Sequence, residues 1–170
     1  MPISSTEGKD WTRRRLRELA PASMLDVGAG AGTYARLVAE HRPARLVAME
    51  VFEPYVERYG LRELYDEVLV ADARTADLPA VDVVVMGDVA EHMTVPEAQD
   101  LWRRAVEAAR VAVFLSIPIV HYPQGALEHN AHEVHVVDDW DHDKVMAAFP
   151  GITDHFRGEV VGVYERRTGT

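Results

Sequence analysis

Residues 24–33 read Met-Leu-Asp-Val-Gly-Ala-Gly-Ala-Gly-Thr. An apolar run broken by one acid ends abruptly in three glycines. Residues 34–41 then take helical spacing, with Tyr34, Leu37, Val38 and His41 on one face and Pro43 as terminator. A strand that passes through glycines straight into a helix is the opening of a strand–helix unit. Glycine lets the chain turn sharply there and lets a ligand approach the backbone closely.

The same unit recurs downstream. Residues 45–50 (RLVAME), 67–71 and 81–86 (VDVVVM) read as strands, as does 110–117 (RVAVFLSI). Continuous apolar runs of this kind belong to strands covered on both faces. A helix is expected over 54–59, closed by Gly60. Thr94-Val95-Pro96-Glu97 has capping-box spacing and opens a helix with Ala98, Leu101, Trp102, Ala105 and Ala109 on one side. A polar loop, 118–139, precedes a helix over 141–149. Residues 152–157 and 159–166 pair as antiparallel strands about Gly158. At the front, Asp10 caps a helix that stops at Pro21, and residues 1–9 read as a flexible arm. Five strand–helix units and a terminal strand pair give an α/β, doubly wound, mostly parallel seven-stranded sheet with an antiparallel last strand. At 170 residues this is a single domain over 1–170.

Composition narrows the chemistry. With 48% hydrophobic and 27% charged residues, the chain is neither disordered nor a disulfide scaffold. The absence of cysteine removes thiol nucleophiles, iron–sulfur clusters and Cys-ligated zinc. The 18 basic residues against 28 acidic ones leave a net charge of −10, which repels phosphate backbones and argues against nucleic acid. Arg13, Arg14, Arg15 and Arg17 read as the wet face of a helix. No apolar run reaches the roughly 20 residues of a membrane span, and residues 1–10 have no signal-peptide core. The expectation is a cytoplasmic protein that does not enter a membrane; self-association is compatible with the sequence.

In doubly wound sheets, ligands sit at the carboxyl ends of strands. Asp26 precedes the glycine loop. Gly28 and Gly30 fit a dinucleotide fingerprint, but its third glycine position falls on Thr33. Glu50 ends the second strand, 22 residues after Gly28, where an acid can accept ribose hydroxyls. Asp72-Ala73 follows the third strand and Gly87-Asp88 the fourth. A carboxylate beside the loop suits a cationic ligand better than a diphosphate.

The acidic-x-G-x-G-x-G pattern resembles the glycine loop of class I S-adenosylmethionine-dependent methyltransferases, and the resemblance extends from Leu25 to about Glu165. Met49-Glu50-Val51-Phe52-Glu53-Pro54-Tyr55, Gly87-Asp88-Val89-Ala90-Glu91-His92-Met93 and Ile117-Pro118-Ile119-Val120-His121-Tyr122-Pro123-Gln124-Gly125 look like a small group within that family. The resemblance supplies no acceptor for the group. It implies S-adenosyl-L-methionine held by Asp26, Gly28, Ala29, Gly30, Gly32 and Tyr34, by Glu50 and Val51, by Asp72 and Ala73 at the adenine, and by Asp88 near the reactive methyl. It also implies in-line displacement on a sulfonium, whose leaving group departs neutral. Positioning then supplies most of the catalysis, and a base is needed only for an acceptor that must lose a proton.

Histidines are the candidates for that base. His92 follows the fourth strand, and His121, His132 and His135 cluster after the fifth; the last three are favoured, with Glu133 orienting one of them. The stretch 128–143 is rich in His and acids, but His132-Glu133-Val134-His135 is one residue short of H-E-x-x-H, and no metal is expected. The acceptor is expected to be a small molecule or a sugar or peptide group, methylated on O or N, with loop 118–139 as its wall. A nicotinamide-dependent oxidoreductase and a non-catalytic S-adenosylmethionine-binding subunit are the alternatives.

Overall fold

A computed structural model describes residues 5–127 and 129–169. Helix α1 (Lys9–Leu19) leads into β1 (Ser23–Val27), α2 (Thr33–Leu37), β2 (Arg45–Glu50), α3 (Glu53–Arg58), α4 (Leu61–Leu64) and β3 (Glu67–Val70). The second half comprises β4 (Val81–Gly87), α5 (Val95–Ala108), β5 (Ala109–Pro118), α6 (His142–Ala148), β6 (Asp154–Arg157) and β7 (Val161–Arg167). The seven strands lie in the order β3-β2-β1-β4-β5-β7-β6, with β7 antiparallel to both neighbours. The doubly wound sheet expected from the sequence is the sheet observed.

Strand alternation builds two core layers. Leu25, Val84 and Met86 face a layer with Leu101 and Trp102 of α5 and Phe149 beyond α6. Met24, Val83 and Val85 face the other, with Leu16 of α1, Leu37 of α2 and Val56 of α3. Asp82 is tolerated at the start of β4 because its carboxylate accepts the N–H groups of Ala22 and Ser23, at 2.8 and 3.0 Å, and the Arg110 guanidinium. The capping box forms as read, Glu97 accepting the Thr94 N–H at 2.9 Å.

Several boundaries differ from expectation. The helix over 34–41 stops at Leu37 and continues as a 3₁₀ turn, Ala39–His41. Gly60 does more than close a helix: in left-handed conformation it starts the additional helix α4. The connection from β3 to β4 is a turn stapled by Asp72 rather than a helix. Helix α1 begins one residue before Asp10, behind Gly8. Residues 1–4 of the expected arm lie outside the described residues, but its remainder is anchored. Glu7 accepts the N–H groups of Glu159, Val160 and Val161 at 2.7–3.2 Å, and Lys9 is buried.

Arg13, Arg14 and Arg17 of α1 are exposed, as read, and Arg15 alone of the row turns to the fold. Arg15 places Nε and Nη2 on the fully buried Glu165 of β7, at 2.7 and 3.3 Å, while Arg13 pairs with Asp10. Arg15→Ala strands that carboxylate with only Arg167, 3.4 Å away, as partner. Urea denaturation is expected to show a loss of roughly 3 kcal/mol, the scale of breaking a buried ion pair.

Candidate active site

The turn after β1 is held by the end of β2. Gly28, Gly30 and Gly32 all have positive φ, at 69°, 51° and 73°. Gly28 and Ala29 donate their N–H groups to the Met49 carbonyl, at 2.8 and 3.2 Å. Gly30 N–H donates to one Glu50 oxygen and Phe52 N–H to the other, each at 2.9 Å. A Cβ at Gly28 would drive into Val89, and one at Gly87 into the Tyr34 ring. Backbone therefore lies against side chain on both sides of the switch point between β1 and β4.

A cavity of about 720 Å³ opens there, within the range of sites that enclose small ligands. Gly28, Ala29, Gly30, Tyr34, Glu50, Val51, Asp72, Ala73 and Asp88 all line it, as the sequence reading places them. Two proposed cofactor residues do not. Gly32 turns the chain into α2, and Asp26 is wholly buried beneath the loop, where it accepts the Tyr65 hydroxyl. Among the described residues, the lining carries six carboxyl groups (Glu7, Glu50, Asp72, Asp88, Glu91 and Glu133) against one arginine, Arg74. Arg74 is itself spent on Asp72, 2.6 Å away, and holds that carboxyl below its ordinary range. Such a lining opposes a diphosphate and favours a cation.

Beneath the cavity the electrostatics are tight. Burial raises the Asp26 carboxyl to about 7, against the lowering effects of the Tyr65 hydroxyl and Lys9. Burial also raises Glu50, against the pull of its backbone donors, and raises Glu91 strongly, with Asp88 adding to the effect. Lys9 donates to the Tyr34 hydroxyl at 2.8 Å. Burial lowers the Lys9 ammonium, while Asp88, Asp26 and Glu91 support its charge.

The loop after β5 forms a further wall of the cavity. Val136 and Val137 donate their N–H groups to the Glu91 carbonyl, at 2.8 and 3.1 Å, which latches the loop over the turn after β4. His132 and His135 line the cavity, as does His92. His121 does not: its side chain is 70% exposed and 3.8 Å from Asp138. Strand β5 stays paired with β7 to Pro118, and His121 lies in the loop three residues further on. Sequence reasoning missed Lys9, whose buried charge is supported by acids from two separate segments, and the Glu7 rim, because position 7 carries no motif.

The glycine turn, the acid at the end of β2 and the acidic cavity at the switch point define a class I S-adenosylmethionine-binding fold. The methyltransferase-domain family profile matches residues 25–113, and the chain belongs to that family. It is an S-adenosylmethionine-dependent methyltransferase. Solved structures share its fold at low identity. The S-adenosylmethionine-dependent methyltransferase from Clostridium acetobutylicum is 7% identical with a TM-score of 0.73, covering 99% of this chain and 93% of that one. The N-terminal domain of EvdMO1 with SAH bound is 16% identical with a TM-score of 0.68, covering 96% and 82%. The Synechocystis magnesium protoporphyrin IX methyltransferase with bound SAM is 16% identical with a TM-score of 0.66, covering 95% and 78%. No curated protein sequence matches the chain.

Two outcomes test this geometry. Glu50→Ala is expected to weaken binding of the demethylated product by about 1–3 kcal/mol, the worth of hydrogen bonds to a charged group; isothermal titration measures it. Asp26 carries a folded-state value of about 7 against an ordinary 3.8. The folded chain thus keeps a proton that the unfolded chain releases, and stability falls as pH rises between those values. Asp26→Asn removes that decline. Denaturation at about pH 5 and about pH 8 is expected to show the variant gaining on wild type at the higher pH.

Proposed function

We propose that the chain methylates an oxygen or nitrogen of a small molecule, or of a sugar or peptide group, presented against the loop after β5. The supporting observation is that a single cavity is lined both by Gly28, Gly30, Glu50 and Asp72 and by His92, His132 and His135, so a donor held at the strand ends and a base share one space.

When bound, S-adenosylmethionine supplies an electrophilic methyl on a sulfonium and leaves as a neutral thioether. The residues present fit that ligand. Glu50 faces the cavity at the end of β2 and can accept ribose hydroxyls. Asp72 and Ala73 flank the place for the adenine, and Asp88 and Tyr34 form the floor toward the reacting end. The carboxylates there favour a positive sulfur and an ammonium group.

For a hydroxyl acceptor, His132 or His135 takes the proton. Burial lowers the His135 imidazole, the Tyr122 carbonyl opposing, which keeps its ring neutral near pH 7. His132 is exposed at the mouth. His121 lies outside this reading. No helix among the described residues is long and apolar enough to cross a membrane, and on helix α1 Arg13 and Arg15 are already paired with acids.

The test is transfer of labelled methyl from S-adenosylmethionine into a fractionated cell extract. Label is expected in the small-molecule or peptide fraction. Label confined to nucleic acid, or absent everywhere, overturns the proposal. With the acceptor in hand, His132→Ala is expected to lower kcat roughly 100-fold, the scale of general base catalysis, with product affinity unchanged.

A further inference from the structure

We propose that Glu91, His92 and His135 form a binding site for one divalent first-row transition ion at the acceptor end of the cavity. One carboxylate oxygen and one ring nitrogen from each histidine lie within 4.8 Å of one another. Ligand bonds of about 2.0–2.2 Å to a shared ion require such convergence. Two imidazoles and a carboxylate suit zinc, cobalt, nickel, iron or manganese ions rather than calcium or magnesium.

Three further features point to a ligand. Glu91 is 2% exposed, and its Oε2 has no hydrogen-bond partner although it lies on the cavity wall. A buried carboxylate oxygen without a donor is costly, and a cation removes that cost. Both histidines are oriented by backbone carbonyls: His92 Nδ1 donates to Val134 at 3.1 Å and His135 Nδ1 to Tyr122 at 2.6 Å. A carbonyl can only accept, so Nδ1 carries the proton in each ring and Nε2 keeps its lone pair. Metal-binding histidines are commonly fixed in this way. Finally, the rings meet edge to face, 4.9 Å between centroids. The loop latch on the Glu91 carbonyl holds His135 over the other two.

Three protein ligands leave open positions toward the cavity, where an acceptor oxygen reaches. The site's existence stands on this geometry alone; its role rests on the transfer reading above. In that role the ion lowers the proton affinity of an acceptor hydroxyl. The O–H proton passes to His132, since His135 is occupied as a ligand. The new O–C bond forms as the S–C bond breaks, and the electron pair stays on sulfur. The acceptor is then an alcohol or phenol rather than an amine.

The experiment uses the full chain, stripped with chelator and titrated with Co²⁺, whose visible bands report its coordination, and then with Zn²⁺ in competition. Retained metal is counted after dialysis. About one ion per chain is expected, with affinity falling tenfold or more in Glu91→Gln and in His135→Ala. The exposed His155→Ala is expected to bind the ion as wild type does. Titration with the demethylated product checks folding and is expected to be unchanged in all three variants. Because His135 is only partly buried, its variant tests the site even if Glu91→Gln fails to fold. No retained ion, or an ion retained equally by Glu91→Gln and His135→Ala, overturns the proposal. Stoichiometric metal in a chain that transfers no methyl leaves the site standing and defeats the transfer reading instead.

Discussion

The end of β2 holds the turn after β1, and the donor half of the site depends on that hold. The Met49 carbonyl receives two N–H groups and the Glu50 carboxylate a third, from consecutive residues of the glycine turn. Parallel pairing of β1 with β2 in register Val27 to Met49 brings these groups opposite one another. Left-handed glycines then aim the backbone into the cavity, and Val89 closes the far side so tightly that no Cβ fits at Gly28. The loop's shape is therefore a consequence of strand register rather than of the glycines alone.

The same packing brings carboxylates together out of water. Asp26, Glu50 and Glu91 are all buried, and Asp88 adds a fourth acid above them. Among the described residues, Lys9 is the buried ammonium that answers this charge, and α1 delivers it because Arg15 ties that helix to Glu165. Burial holds the carboxyls of Asp26, Glu50 and Glu91 above their ordinary values, so their negative charge is costly to keep without a neighbouring cation. Desolvated acids of that kind draw in positive charge, which matches a sulfonium donor and opposes a dinucleotide.

Much of this was legible in the sequence because it is local. Apolar runs mark the strands, and the acids at strand ends fall where a doubly wound sheet must place them, so Glu50, Asp72 and Asp88 reach the cavity as read. What was not legible is non-local. Asp26 reads as a ligand-facing acid, but alternation along β1 turns its side chain into the layer containing Tyr65. His121 follows a strand and yet points to solvent, since β5 stays paired with β7 to Pro118 and His121 lies three residues beyond, outside the cavity. No spacing rule joins His135 to Glu91-His92. Their meeting depends on two backbone hydrogen bonds across 45 residues of chain, and a search for metal spacing within 128–143 misses it.

The two halves of the cavity are built differently, and this constrains how the site can work. The donor half is made of strand ends fixed by the sheet. The other half is a long loop that carries, among its described residues, one 3₁₀ turn, Ala131–Glu133, and is held down by the Glu91 carbonyl and by Gln124, which donates to the Glu133 carbonyl at 2.7 Å. Loops change at little cost to a core, so this wall can be altered without disturbing the glycine turn. An ion bound by Glu91, His92 and His135 would take two ligands from the turn after β4 and one from the loop. Ion binding and loop closure would then stabilise one another by linkage, and the acceptor wall would be complete only in the loaded chain.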